Sequence, residues 1–552
     1  MPRFQPDVWC NARAGRMSRQ LGRMISQMSL RRFGLALLAA VLLLGACGND
    51  DDGDVGDDAA VGDDAVTTTT VVDPDETDRD AGVVFAHHNP LNSLDPHLAT
   101  ATFASAWYGP AYETLIRADL DGSVHPLLAT DWEFGDDGQT FTLTLREGVQ
   151  FHDGTAFDAE AVKANIERGL ELEESTVASM IEPIESVEVL DSSTVQINLS
   201  SPFGHIVDIL SDKPGTMISP AAFDDPDLGI APVGTGPFEF VSYDVGVRLV
   251  FERWDGYWGE PAGIQRLEIA NIGDSEAAFN ALRTGEVDLA ALTPLQVSQV
   301  EGDPDLKIHG FPSARVNHLL LNPSMPPLDD IRVRQAISYA IDREAFVDFI
   351  GEGAMVTNQY ALPGTDVFDP SLNERYPHDP DRARELLAEA GHPDGFTFTL
   401  TFTARPTTTE QAEVLQQMLA DVGITMELRS TEGATVIDEC LVEKRCDALV
   451  GGGPMRLDFT SGIAALLGEG ARTNLSSESL PEIQAAIDEG SAALDEEERL
   501  RTARALNEVV VEQVHNVPLN HDTVHAGANA ELLDFGWSIF GHPVWDTLYA
   551  SN

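Results

Sequence analysis

Between residues 379 and 429 the hydrophobic period switches from helix to strand, to helix, and back to strand. That alternation limits the fold more than any other feature of the sequence. Asp379-Pro380 opens a helix in which Ala383, Leu386, Leu387 and Ala390 share one face, and Gly391 ends it. Phe396, Phe398, Leu400 and Phe402 then line one face of a strand. Thr407-x-x-Glu410 reads as a capping box for a helix reaching Val422; Gly423 stops it, and Ile424–Arg429 is a second strand. Strand, helix and strand in this order make a βαβ crossover, which requires parallel pairing and places the chain in the α/β class. A helix carrying Cys440 follows. Ala448-Leu449-Val450 reads as a short buried strand that ends in a loop, Gly451-Gly452-Gly453. Ligands of open α/β sheets bind beyond the carboxyl ends of strands, so this loop is a candidate site.

Upstream the pattern is that of hairpins. Phe141, Leu143 and Leu145 alternate with threonines in a half-buried strand, and Asp158 caps a helix running to about Arg168. Ser186–Leu190 and Thr194–Leu199 flank Asp191-Ser192-Ser193, and Phe238–Tyr243 and Arg248–Trp254 flank Asp244-Val245-Gly246. A chain of 552 residues exceeds what one hydrophobic core organises, so two or more lobes are expected.

The N-terminus reads as an export signal. Arg31 and Arg32 precede an apolar run, Phe33 to Leu44, that is too short to span a bilayer but fits the core of a signal peptide. It ends in Leu44-Gly45-Ala46-Cys47, the pattern of a lipobox, in which Cys47 takes the lipid and becomes the new N-terminus. Residues 49–80 hold thirteen acidic residues, one arginine and no aromatic; such a segment buries too little apolar surface to order itself and reads as a flexible tether. Beyond residue 46 the chain has 27 basic and 90 acidic residues. That excess repels nucleic acid and anionic headgroups, leaving the N-terminal lipid as the one expected membrane contact. Cys440 and Cys446 form the remaining close cysteine pair, and in an oxidising exterior a disulfide is the favoured reading.

Enzyme signatures are missing. No lysine follows a glycine as a phosphate loop requires, and there is no G-x-S-x-G elbow, H-E-x-x-H or calcium loop. His521 and His525 fall in a strand pattern, about 13 Å apart at roughly 3.3 Å per residue, too far to share a metal. No cofactor or metal is implied. His88 and Asn89, in a loop after the first strand, are candidate ligand contacts.

Tyr112-Glu113-Thr114-Leu115, Pro126-Leu127-Leu128-Ala129-Thr130-Asp131-Trp132, Leu145-Arg146-Glu147-Gly148-Val149 and Phe151-His152-Asp153-Gly154-Thr155 occur in that order. Val233-Gly234-Thr235-Gly236-Pro237-Phe238, Asp255-Gly256-Tyr257-Trp258, Thr284-Gly285-Glu286-Val287-Asp288 and Ile331-Arg332-Val333-Arg334-Gln335-Ala336-Ile337 follow. Over roughly residues 83–552 the chain resembles the family 5 solute-binding proteins, which include the dipeptide-, oligopeptide- and nickel-binding components of ABC importers. The resemblance implies a two-lobed, periplasmic-binding-protein-like α/β fold with mixed sheets and an interlobe hinge. One lobe would comprise 82–325 and 515–552, with an inserted subdomain at about 116–232, and the other 326–514. A signal peptide at 1–46 and a tether at 47–81 would precede them. It also implies a monomer, not an enzyme, held outside the cell membrane, that captures a peptide or small solute and delivers it to permease and ATPase subunits.

One place departs from the peptide binders. Where they resemble one another in a tryptophan followed by an aspartate that pairs with a peptide's amino terminus, this chain has Gly451-Gly452-Gly453-Pro454-Met455-Arg456-Leu457-Asp458. Met455 stands where the aspartate is expected, and a buried ammonium without a carboxylate costs several kcal/mol. Gly452, Gly453, Met455, Arg456 and Asp458 therefore form the candidate ligand segment. The ligand is expected to be a peptide or, alternatively, an oligosaccharide, metal chelate or anionic metabolite.

Overall fold

The computed structural model describes residues 77–551, apart from 89–90, 101–103, 120–122, 137, 301, 352–353, 455, 457 and 538–542. The export signal, Cys47 and most of the tether lie outside the described residues.

Nineteen strands are described. They are β1 (Gly82–His87), β2 (Ile116–Ala118), β3 (Val124–Pro126), β4 (Ala129–Phe134), β5 (Thr140–Leu145), β6 (Ile184–Asp191), β7 (Thr194–Leu199), β8 (Phe238–Asp244), β9 (Arg248–Arg253) and β10 (Arg266–Asn271). They continue as β11 (Leu289–Leu292), β12 (Leu306–Leu321), β13 (Met355–Val356), β14 (Thr397–Thr403), β15 (Thr425–Thr431), β16 (Ala448–Pro454), β17 (Asn516–Asn529), β18 (Leu532–Trp537) and β19 (Pro543–Ala550).

Eleven of them build one mixed sheet in the order β15-β14-β16-β12-β17-β11-β1-β10-β9-β8, with β13 on β17. β14 and β15 pair in parallel, as the helix Pro406–Ala420 between them requires. β1 runs parallel to β10 and β11, and the helix Ser275–Arg283 makes that second crossover. β12 and β17 are the long members. The first part of β12 pairs with Thr523–Asn529, which continue onto β11, and its second part lies between Asn516–His521 and β16.

Separate cores form on this frame. One gathers Phe85, Trp107, Phe238, Phe251, Ile269 and Trp537 around β1, β8, β9 and β10. Another gathers Leu319, Ile337, Leu386, Leu400, Leu415 and Val450 around β14, β15 and β16. The four-stranded sheet β4-β5-β7-β6 carries a third, in which Phe141, Phe151 and Phe157 pack with the helix Ala159–Glu171. A fourth joins the helices Phe459–Leu467, Pro481–Ala492 and Glu496–Gln513 through Ile463, Ile487 and Leu506.

Three expectations change. Gly452 and Gly453 lie in a strand rather than a loop: β16 continues to Pro454 because β12 supplies pairing partners along its whole length. The helix starts at Pro406, ahead of the N-cap position expected at Thr407. Pro406 already occupies the first helical turn behind Arg405, which makes no side-chain cap, because a residue without an N–H suits that position. Ordered pairing also starts ahead of residue 82, as Thr77 bridges Ser551 and the Asp78 N–H donates to Ala550.

Candidate functional site

β16 is paired along its whole length on one edge only. Its pairing with β12 runs from Ala448–Leu321 to Pro454–Arg315, whereas β14 reaches only Ala448 and Leu449. From Val450 to Pro454, no strand pairs with the other edge among the described residues. The glycines shape what lies beside it. A Cβ on Gly451 or Gly453 would meet nothing within 4 Å, while one on Gly452 would stand 2.4 Å from Asn317 Oδ1 and 3.0 Å from Arg315 Nε. One face of this segment is therefore bare backbone against open space, and the other is pressed onto polar side chains of β12.

Those side chains form a cluster that sequence reasoning missed. Arg315 Nε lies 3.1 Å from Asp522 Oδ2, and Asn317 and Asn520 donate to Asp522 Oδ1 at 2.5 and 3.1 Å. Burial raises the Asp522 carboxyl above its ordinary range, against the pull of Arg315 and the two amides. The available signal was the polar alternation Arg315-x-Asn317 and Asn520-x-Asp522, beside the apolar run Leu319–Leu321 and the buried Val517 and Leu519.

Arg456 follows β16, is exposed and has no ion-pair partner among the described residues. Its charge reaches Asp212 in the third core's neighbourhood: burial raises the Asp212 carboxyl, and Lys213 and Arg456 pull it down. Lys213 is itself fixed, donating to Ala99 O at 2.7 Å and Thr176 Oγ1 at 2.9 Å. Asp458 is committed differently. It caps the helix Phe459–Leu467 by accepting from Ser461 N–H at 2.5 Å, and it lies 2.8 Å from His205 Nδ1.

His88 follows β1, exposed and stacked on His87 with ring centroids 5.3 Å apart. In the sheet order β1 is separated from β16 by β11, β17 and β12, so the two candidate segments stand on opposite sides of the crossing strands. Asn89 and Met455 lie outside the described residues. Cys440 and Cys446 are disulfide-bonded in the structure, with Cα atoms 5.0 Å apart.

The motifs upstream hold the scaffold. Glu113, 8% exposed, accepts from Tyr257 Oη at 2.7 Å, Trp258 Nε1 at 2.8 Å and Thr235 Oγ1 at 2.9 Å, which ties two other motifs to its own. Gly234 and Gly236 press on the chain at Pro110 and Ala111, where a Cβ would fall 2.2 and 2.6 Å from backbone oxygens.

Two halves joined by β12 and β17, with a bare strand edge beside the crossing, define a two-lobed solute-binding protein. Residues 123–462 match the family model for bacterial extracellular solute-binding proteins, family 5, and the chain belongs to that family. It is 35% identical over 355 residues to the glutathione-binding protein GsiB of Salmonella paratyphi A, a match covering 62% of this chain and 68% of that one. Among solved structures it is similar to NikA from Brucella suis in complex with Fe(III)-EDTA, with a TM-score of 0.75 and 25% identity over 85% of this chain and all of that one. It is also similar to the ABC transporter-associated periplasmic binding protein DppA from Helicobacter pylori in complex with the peptide STSA. That likeness has a TM-score of 0.70 and 24% identity, covering 86% of this chain and 99% of that one. These relatives are binding proteins, not enzymes. No helix among the described residues is long and apolar enough to cross a membrane.

Proposed function

We propose that this chain is the lipid-anchored, extracytoplasmic receptor of an ABC importer, and that it captures a short peptide or peptide-like solute carrying a free carboxylate. The observation that carries this reading is the edge of β16 at Val450–Pro454, which no strand pairs among the described residues, followed two residues on by the exposed Arg456. An extended peptide satisfies its own amide groups by adding to such an edge, and the guanidinium fork suits a planar carboxylate. Bare faces at Gly451 and Gly453 leave room for bulky side chains. The similar proteins bind glutathione, a tetrapeptide and a polycarboxylate chelate by name, and carboxylates are common to all three. With Met455 at the expected aspartate position and Asp458 held by His205, the ligand's amino group is not the main anchor.

The lobes are taken as 82–325 with 515–552, and 326–514, with the subdomain at about 116–232; the separate cores support a division into lobes, with Leu319, Leu321, Val517 and Leu519 packing into the core of the second. Cys47 carries the lipid, and the acidic tether holds the lobes clear of the membrane for delivery to the permease. Mass spectrometry of the ligand released from protein exported by its own host identifies the solute. Titration calorimetry with that solute then tests the site: Arg456→Ala is expected to weaken binding tenfold or more. A change below about 0.5 kcal/mol, the range of ordinary surface substitutions, rejects the carboxylate contact. A co-purified oligosaccharide rejects the peptide class.

A further inference from the structure

The contact between His205 and Asp458 joins two bodies that share no core. His205 and Asp208 belong to the short helix Ile206–Ile209 and its cap, whose Ile206, Val207 and Ile209 pack into the core around β4–β7. Asp458, Ser491 and Arg499 belong to the three-helix core of Ile463, Ile487 and Leu506. The junction is tight and polar. His205 Nδ1 lies 2.8 Å from Asp458 Oδ1 and its Nε2 lies 3.0 Å from Ser491 Oγ, with a sequence separation of 286 residues in the second contact. Arg499 donates to Gly204 O at 2.9 Å and stands 3.9 Å from Asp208. A Cβ on Gly204 would fall 2.2 Å from Ala493 O, so only glycine permits this approach.

We propose that His205, Asp208, Asp458 and Arg499 form a protonation-controlled latch that holds the closed arrangement of the two lobes. The inference rests on the two-lobed fold and not on the ligand class. Two carboxylates and one guanidinium enclosed together carry a net negative charge, and a proton on His205 or Asp208 brings the group to neutrality. A buried group of charges is tolerated when it is balanced and hydrogen-bonded.

The direction follows from the surroundings. Burial alone pushes the His205 imidazole down, but the facing Asp458 and the neighbouring Asp208 outweigh it, and its affinity for the proton rises despite Arg499. Burial and then the charge of Asp458 push the Asp208 carboxyl up to about 7, with Arg499 and His205 opposing. Asp458 is held below its ordinary range: burial works against this, and His205, the Ser461 N–H and Arg499 outweigh it. When the lobes separate, His205 and Asp208 regain water and bind protons less tightly, so the closed state is the one that takes up protons. The His205 contribution is fully present below the ordinary histidine range and fades as pH rises through the raised value. The Asp208 contribution is lost earlier, as pH rises from the ordinary carboxylate range to about 7, where its enclosed carboxyl ionises. Acidic conditions therefore favour closure, and alkaline conditions release it.

Small-angle X-ray scattering of the exported protein without added ligand, at pH 5.5 and 8.5, tests the latch independently of solute identity. The wild type is expected to have a smaller radius of gyration at pH 5.5. Asp208→Asn, which mimics the protonated carboxyl, is expected to keep the compact radius at pH 8.5, a gain that misfolding cannot imitate. His205→Gln is expected to lose the part of the pH response above the ordinary histidine range, and Asp208 to keep the part below about 7. A wild-type radius that does not change with pH, or an Asp208→Asn protein that opens at pH 8.5 as the wild type does, overturns the proposal.

Discussion

Replacing Glu113 separates the worth of a buried carboxylate from the worth of its shape. Three donors converge on it from distant motifs: Tyr257 Oη on one oxygen, and Trp258 Nε1 and Thr235 Oγ1 on the other. In Glu113→Gln the amide oxygen replaces the oxygen that serves Trp258 and Thr235, and the Tyr257 hydroxyl turns to accept from the new NH2 group. Only the charge assistance is lost, at about 1–2 kcal/mol, since bonds to charged groups contribute about 1.5–3 kcal/mol against about 1 for neutral ones. Glu113→Ala is different. The two hydroxyls can rotate, but the indole N–H cannot, and Thr235 is fully buried. One or two orphaned donors at about 1–3 kcal/mol each, with the lost packing, give about 3–5 kcal/mol. Urea unfolding followed by tryptophan fluorescence reads both values, because Trp258 reports from the site itself. A Gln variant as unstable as Ala shows that charge, not geometry, holds the motifs together. An Ala variant within 0.5 kcal/mol of wild type shows that the junction contributes nothing.

Arg334, 2% exposed, donates to Val514, Leu328 and Gln513 carbonyls at 2.9 Å each, so Arg334→Met is expected to cost about 3–5 kcal/mol in the same unfolding assay. Gly204→Ala places a carbon against Ala493 O and is expected to enlarge the radius of gyration at acidic pH, with unfolding stability changed by less than about 1 kcal/mol. The double variant Cys440→Ser/Cys446→Ser is expected to lose about 2–3 kcal/mol, read as a lower urea midpoint that reduction of the wild type reproduces.

The elements legible in the sequence are those whose signal is local. Phe398, Leu400 and Phe402 announce a strand by alternation, and Asp158 and Asp379 announce helix starts, because each makes its bond within three residues. Gly451–Gly453 misled for a physical reason. Glycine normally ends strands, but here the strand persists because β12 pairs with it and Asn317 fills the space a Cβ would need. The interlobe group was illegible, because nothing near His205 in sequence marks Asp458 or Ser491 as partners. The same holds for Asp522, whose partners Arg315 and Asn317 arrive from another strand.

The continuity of the eleven-stranded sheet sets the mechanics of the molecule. A pair of lobes connected by loops turns on a free pivot, but here β12 and β17 run through as one ribbon, so opening has to bend a hydrogen-bonded leaf spring. The ladder between them slips register twice, between Pro312 and Val316 and again between Asn317 and His318. Such irregularities are where a ribbon gives most easily, because the local pairing is already interrupted. The bending line is thus fixed in advance, beside Arg315, Asn317 and Asp522. Amide protons on either side of it, in Lys307–Phe311 and Leu319–Leu321, are expected to stay protected from exchange through every opening, with fast exchange confined to the slipped residues.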